Sequence, residues 1–279
     1  MALSISQYAT AVDANKMWES YIYKASTLSV VSATTGIIDL SMTSGIPTYN
    51  AYVGTPLTAT QMVGVRNTSI YVGPNPPSGS QRFLHSVGVC ATGAGSVNTH
   101  YMLHDYLMFY SFVDGDNTDT QDMDNPVTLP RYATGAGVRA MVVCQAPMTA
   151  NGNMTLVYTN SAGVSGRTAT TAVVAVTAAG NLATTNHFCE LQAGDSGIRS
   201  IESVTFGTAV GGFVAIVLVK PLHTLMQHEA GVPVESFPIK DKGAPVEFFN
   251  GAFLHFTIRF SLAAQNINPI TARVVTTWS

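Results

Sequence analysis

The sequence predicts a mainly β protein: a β-sandwich or jelly-roll-like body with an N-terminal helix and one inserted helix. Three observations lead there. Short runs rich in β-branched and aromatic residues recur along the chain, at spacings of roughly 8–12 residues. Clusters such as "TANGN", "TNSAGVSG", "TAAGN" and "AGDSG" separate most of them and supply turn chemistry. The stretch "MTLVYTNSAGVSGRTATT" alternates apolar and polar residues, passes a glycine-containing loop and alternates again, which is a hairpin pattern.

From the N-terminus, "ISQYATAVDANKMWESYIYKA" at 5–25 reads as a helix, free of Gly and Pro, with Ser4 or Ser6 as cap and Tyr8, Val12, Met17 and Tyr21 near one side. The character changes at about residue 27, where "TLSVVSA", "GIIDLSM" and "SIYVGP" are short strand-like runs. "GPNPPSGSQ" at 73–81 holds three prolines and two glycines and must be a loop. Residues 98–112, "NTHYMLHDYLMFYSF", read as the inserted helix, apolar around most of its circumference.

Further strands are expected at 138–145, 153–159, 167–177, 186–192, 199–206, 211–219, 246–260 and 271–278. The expected organisation is a helical arm at 1–30 and one β-sandwich body at 31–279 that contains the helix at about 98–112. No fixed-period repeat or flexible linker interrupts it.

Charged residues make up only 10 % of the chain, against about 25 % in ordinary soluble domains. Thr, Ser, Asn and Gly stand in their place. A lone globule relies on surface charge for solubility, so this exterior fits a protein packed against neighbours. The net charge is −3 and the 13 Lys and Arg are scattered. No basic stripe exists for direct nucleic-acid binding.

Cys90, Cys144 and Cys189 are an odd set with no close pair, which argues against a disulfide framework and for reduced thiols made in a cytosol. Cys144, in "RAMVVCQA", is expected in the core. No secretory leader is expected at the start, and the most apolar run, "GGFVAIVLV" at 211–219, falls far short of the ~20 residues of a membrane helix.

Several stretches carry chemistry-bearing residue types. "VDGDNTDTQDMDN" at 113–125 holds Asp114, Asp116, Asp119, Asp122 and Asp124. An EF-hand counted from Asp114 lacks its turn glycine and its closing Glu. An irregular Ca²⁺ site from Asp114, Asp116 and Asp119 stays open, beside the reading of a solvated loop turned by Asp and Asn.

Gly194-Asp195-Ser196-Gly197 matches the tetrapeptide around the nucleophile of chymotrypsin-like proteases. That chemistry needs a His base and an orienting Asp, and His85, His100 and His104 all lack the expected context. A turn between strands is the simpler reading. His100 and His104 would share a helix face, a spacing able to hold zinc, yet no HExxH motif and no third ligand accompany them. "PTYNAYVG" at 47–54 is the candidate aromatic pair for a glycan. No catalytic, cofactor-binding or metal residue is assigned, and no cofactor is expected.

The segments "DYLMFYSFVDGDNTDTQDMDNPVTLPRYATGAGVRAMVV" and "LQAGDSGIRSIESVTFGTAVGGFVAIVLVKPL", with the closing "VVTTWS", resemble virion structural proteins of tailed bacteriophages. "DGD", "LPRY", "GVRAM" and "AGDSGIRS-ES-VTF" carry the resemblance, over most of residues 84–220 and the C-terminus. It implies a non-enzymatic particle component made in the host cytoplasm and located in the virion. Its expected partners are copies of itself, a trimer among the options, and a major capsid protein or other virion proteins, with no direct nucleic acid and no membrane. A capsid decoration or cement protein is the leading expectation. A jelly-roll major coat protein and a tail or fibre protein binding a host glycan are the alternatives.

Overall fold

The computed structural model describes residues 5–24, 28–29, 36–93, 96–260, 266–267 and 269–279. In chain order the elements are α1 (Ile5–Asp13), β1 (Met17–Lys24), β2 (Leu28–Ser29), β3 (Ile37–Asp39), a 3-10 turn (Leu40–Met42), β4 (Ala59–Gln61), β5 (Arg82–Ala91), β6 (Thr99–Asp114), β7 (Gln121–Asp122), β8 (Arg139–Ala146), β9 (Gly152–Asn160), β10 (Arg167–Val173), β11 (Ile198–Phe206), β12 (Phe213–Gln227), β13 (Val234–Ser236), α2 (Pro238–Lys242), β14 (Val246–Phe248), β15 (Phe253–Arg259), β16 (Asn266–Ile267) and β17 (Ile270–Trp278). The protein is mainly β, with antiparallel sheets and few helices, consistent with a β-sandwich.

A six-stranded sheet, β3-β15-β6-β12-β8 with β4 joined to β6, is the spine. Its long strands β6 and β12 pair antiparallel from Phe213↔Asp114 to Gln227↔Thr99, with three register shifts. One end supports a five-stranded sheet, β1-β17-β5-β13 with β14 on β5. There Tyr101, Leu103, Leu222 and Leu254 meet Leu84, Val87, Ile22 and Val274. The other end supports β10-β9-β11-β7, where Leu107, Tyr110, Val142 and Ile216 meet Met154, Leu156, Ile201 and Phe206. The opposite face of the spine carries a third cluster, including Tyr106, Val217 and Phe253, covered by Tyr52, Met62 and Leu182. The molecule is thus two sandwiches side by side on a shared sheet.

The expected helix at 98–112 is instead strand β6. Residues 103 to 111 are buried without a break, because one face meets the sandwich cores and the other the third cluster. A strand buried on both faces shows no period-2 alternation, and its aromatic run imitates a fully buried helix.

The first helix is shorter than the expected 5–25. It ends at Asp13 in a Schellman closure: the Lys16 amide reaches the Ala11 carbonyl at 3.2 Å, and the Asn15 amide reaches Val12 at 2.9 Å. Asn15, at φ 51°, takes the left-handed position that Asn tolerates. "MWESYIYK" then forms β1 along β17, as suits its aromatic and β-branched content. Tyr8 anchors α1 by an edge contact with Phe83 and a 2.7 Å hydrogen bond to His85.

The hairpin expected at 153–177 forms as β9–β10, with Met154, Leu156 and Tyr158 inward. Strands also form within a residue of the ranges read at 138–145, 199–206 and 271–278, while the run at 211–219 begins its strand at Phe213 and continues to Gln227. Residues 246–260 divide into β14 and β15 around a turn. Residues 186–192 form no strand. Their amides bond outside any ladder: Cys189 to the Ala140 carbonyl, Glu190 to the Thr171 hydroxyl and Gln192 to the Tyr158 hydroxyl. "SIYVGP" contributes only isolated bridges, Ser69 to Arg66 and Ile70 to Leu254, and "GIIDLSM" gives three strand residues and the 3-10 turn. Most of "TLSVVSA" lies outside the described residues.

Candidate functional site: an apolar trough and three buried polar clusters

The acidic stretch begins on β6 and turns sharply. Asp114 Oδ1 accepts the Asp116 amide at 2.9 Å, and Asn117 Oδ1 accepts the Asp119 amide at 2.9 Å. Gln121 closes the loop, accepting from the Asp114 amide and donating to its carbonyl, at 2.9 and 2.8 Å. Asp116, Asp119, Asp122 and Asp124 are exposed. Among the described residues no group of three or more His, Cys, Asp or Glu is placed to hold a metal ion.

The GDSG turn is a polar knot. Asp195 accepts from Tyr158 Oη (2.7 Å), Asn160 Nδ2 (2.7 Å) and Arg167 Nε (3.0 Å), which together hold its carboxyl below the usual range. Ser196 Oγ bonds Ser161 Oγ at 2.7 Å. The histidines considered as its base are engaged elsewhere or distant in topology: His85 with Tyr8, His104 with Thr257, and His100 on β6 opposite Arg259 and Met226. Because β6 is a strand, His100 and His104 stand about 13 Å apart along it, not one helical turn.

Three buried polar clusters escaped the sequence. Asp39 is fully buried, and its carboxylate accepts from Tyr52 Oη, Tyr106 Oη (2.8 Å), Ser41 Oγ (2.9 Å) and the Ser41 amide (2.9 Å). Burial raises its pKa, opposed by those donors, and burial also raises both tyrosines. Lys24, equally buried, donates to the carbonyls of Thr43 (2.9 Å) and Pro47 (2.5 Å). Burial pushes its pKa down to about 8, with Asp39 pulling the other way.

Beside them, Thr257 Oγ1 bridges His104 Nε2 (2.8 Å) and His187 Nε2 (2.9 Å), and His255 pairs with His104 across β15 and β6. Arg131 and Asp105 form the third cluster, a buried ion pair. Apart from Ser41, two residues from Asp39, each side-chain donor lies 13 or more residues from its acceptor, so local spacing carried little signal.

An apolar trough of about 520 Å³ lies on the outer face of the five-stranded sheet. Neighbouring strands place Tyr21, Arg273, Gly88 and Glu235 in one transverse row. Gly88 lacks a side chain, so the row sags there; Val89, Cys90 and Val234 complete the lining. Tyr21, Tyr23 and Ile46 stand on one wall, 67 %, 46 % and 62 % exposed. Arg273 bridges Glu19 at 2.7 Å and Glu235 at 3.3 Å, one cation held between two carboxylates on the rim. Tyr49 of the "PTYNAYVG" stretch is exposed, whereas Tyr52 is buried on Asp39, so that stretch presents no aromatic pair. Cys144 and Cys189 are buried free thiols, pushed up by burial to about 11 and about 12.

Fold and surface together define a mainly β protein with an apolar trough open on one sheet face. No protein-family model matches the chain, and no curated protein matches it. Solved structures similar to it include that of an infectious bursal disease virus Gt strain, with 10 % identity over 94 % of this chain and 81 % of that chain and a TM-score of 0.20. Another is the infectious bursal disease virus VP2 subviral particle, with 8 % identity over 94 % and 80 % and a TM-score of 0.19. Neither likeness transfers a role to any residue here.

Proposed function

We propose that the protein is a virion structural component, a decoration or cement subunit that binds a viral shell as a homo-oligomer and works through contact area without catalysing a reaction. The observation that carries this reading is the trough walled by exposed Tyr21, Tyr23 and Ile46, in a chain only 10 % charged. Burial of such apolar surface yields about 25 cal/mol per Å², and a standard interface covers about 1,600 Å². Contacts of that kind lock subunits without bond chemistry. The buried carboxylates Asp39 and Asp105 support the same reading, since each is occupied by internal donors. The resemblance of "LPRY" and "AGDSGIRS" to tailed-phage virion proteins adds to it and gives the major capsid protein as the partner surface.

Light scattering of the purified chain, together with co-sedimentation on emptied capsids, tests the proposal. A discrete oligomer that pellets with capsids is expected. A monomer at every concentration that leaves capsids bare overturns it.

A further inference from the structure

A second cleft lies at the opposite end of the spine, where β6 and β12 meet the acidic loop. It has a volume of about 570 Å³ and is lined by Pro56, Leu57, Phe112, Phe213 and, facing them, Asp114, Asn117, Gln121 and Asp122. That size falls within the range of small-molecule sites, about 300–1,000 Å³.

The apolar wall is built by a local distortion. Between the pairs Val214↔Val113 and Ile216↔Tyr110, two residues of β6 oppose one of β12, which is a β-bulge. Its second residue, Phe112, sits at φ 54°, a left-handed conformation that bulky side chains rarely adopt. The Phe112 amide is held there by Gln145 Oε1 at 2.8 Å. The bulge brings the Phe112 ring against Phe213 edge-to-face, centroids 6.2 Å apart and planes at 81°. Phe213 remains 40 % exposed, although a buried position would stabilise it by about 1.5–3 kcal/mol. The structure thus places an aromatic pair at a cleft mouth instead of in a core.

The polar part of the lining keeps hydrogen-bonding groups unused. Asp114 uses one carboxylate oxygen on the Asp116 amide and leaves the other open. Among the described residues the Asp122 carboxylate makes no hydrogen bond or ion pair. Asn117 spends its carbonyl on Asp119 and keeps its amide donor. Two carboxylates and one amide opposite two phenyl rings match a pyranose, which offers a C–H face on one side and hydroxyl donors on its rim. Charge-assisted hydrogen bonds from hydroxyls to carboxylate are the stronger kind. An organic cation gains less here, because Asp122 is exposed and its attraction is screened.

We infer that the Phe112–Phe213 cleft is a carbohydrate-binding site for an uncharged pyranoside, with the exposed Phe213 ring stacking on the sugar, Phe112 buttressing it edge-on, and Asp114, Asp122 and Asn117 holding its hydroxyls.

Saturation-transfer NMR on the full chain tests this, with methyl glycosides of glucose, galactose and mannose, N-acetylglucosamine, and tetramethylammonium as the cationic arm. Transfer to at least one sugar is expected. Phe213→Ala and Asp122→Asn should each weaken that binding at least tenfold; Asp122→Asn, at an exposed carboxylate without a partner among the described residues, should leave the melting temperature unchanged, while Phe213→Ala gives up its contact with Phe112 and lowers it slightly. Silence from every sugar, binding of tetramethylammonium alone, or sugar binding unchanged in both variants overturns the assignment.

Discussion

Arg131 grips Asp105 with two nitrogens, Nη2 on Oδ1 at 2.7 Å and Nε on Oδ2 at 2.9 Å, where the two sandwich cores meet on the spine. The same Nη2 reaches the carbonyls of Tyr106 (2.8 Å) and Met62 (3.1 Å), and the Phe253 amide donates to Asp105 Oδ1 at 3.0 Å. One pair therefore ties β6, β15 and the segment after β4 together. Removing one partner leaves the other charge buried and alone.

Arg131→Ala should accordingly destabilise the fold by about 3–5 kcal/mol. The double change Asp105→Leu with Arg131→Met should recover most of that loss, because an apolar pair of similar volume avoids the desolvation of both ions. Urea unfolding of the single and double variants checks the order. A double variant as unstable as the single one would refute the argument.

Tyr52 supplies Asp39 with one of its four donors, from a loop that Gln145 also holds to the spine through the Ala51 and Tyr52 carbonyls. Tyr52→Phe removes that donor without changing shape. A hydrogen bond to a charged group is worth about 1.5–3 kcal/mol, so a loss of that size is expected in equilibrium unfolding. Tyr106→Phe removes the neighbouring donor and should cost a similar amount. The two losses should not add, since both act on one carboxylate.

His104, His187 and His255 make stability pH-dependent. Burial lowers all three, His104 and His255 well below the usual value and His187 to about 3, with Arg259 adding to the effect at His187 and Lys24 at His255. The folded pKa values lie below the unfolded value of ~6.5, so the folded state binds fewer protons. Stability is complete above ~6.5 and falls as pH drops toward the folded values, by up to about 1.4 kcal/mol per pH unit for each histidine. Thermal melts between pH 7 and pH 4 should show a steep decline. His187→Phe, which cannot take a proton, should flatten it. A profile unchanged by that substitution would exclude His187 as a contributor.

The β9–β10 hairpin was legible because one face meets a core and the other meets water, so each inward Met154, Leu156 and Tyr158 alternates with a polar residue. β6 was not, because adjacent Met108 and Phe109 are buried in different clusters on opposite faces and the alternation vanishes. β1 was hidden for another reason: Trp18, Tyr21, Ile22 and Tyr23 favour a strand, but no Gly or Pro separates them from α1, and the break at Asn15 is marked only by its left-handed turn. The turn chemistry of Asp114 and Asn117 was legible because it is local. The Asp39 cluster was not, since Tyr106 lies 67 residues away. The trough likewise depends on four strands that meet only in the fold.

Gly88 offers the most direct handle on the proposed contact face. A Cβ there would meet only the Val234 carbonyl at 3.7 Å and the Arg273 and Glu235 Cβ atoms at 3.9 Å, which is ordinary contact, so the monomer has room for a side chain. Gly88→Gln should therefore fold normally and fill the trough with a polar group. Tyr21→Ser removes apolar wall from the other side, at a position 67 % exposed where the isolated chain gains little from the ring. Both variants should keep the melting temperature of the isolated subunit and lose oligomer or capsid binding by at least tenfold. Loss of that size corresponds to about 1.4 kcal/mol of interface, less than one buried aromatic supplies at a well-packed contact. Analytical ultracentrifugation with capsid co-sedimentation measures it. Binding that survives both changes would move the contact face away from the five-stranded sheet.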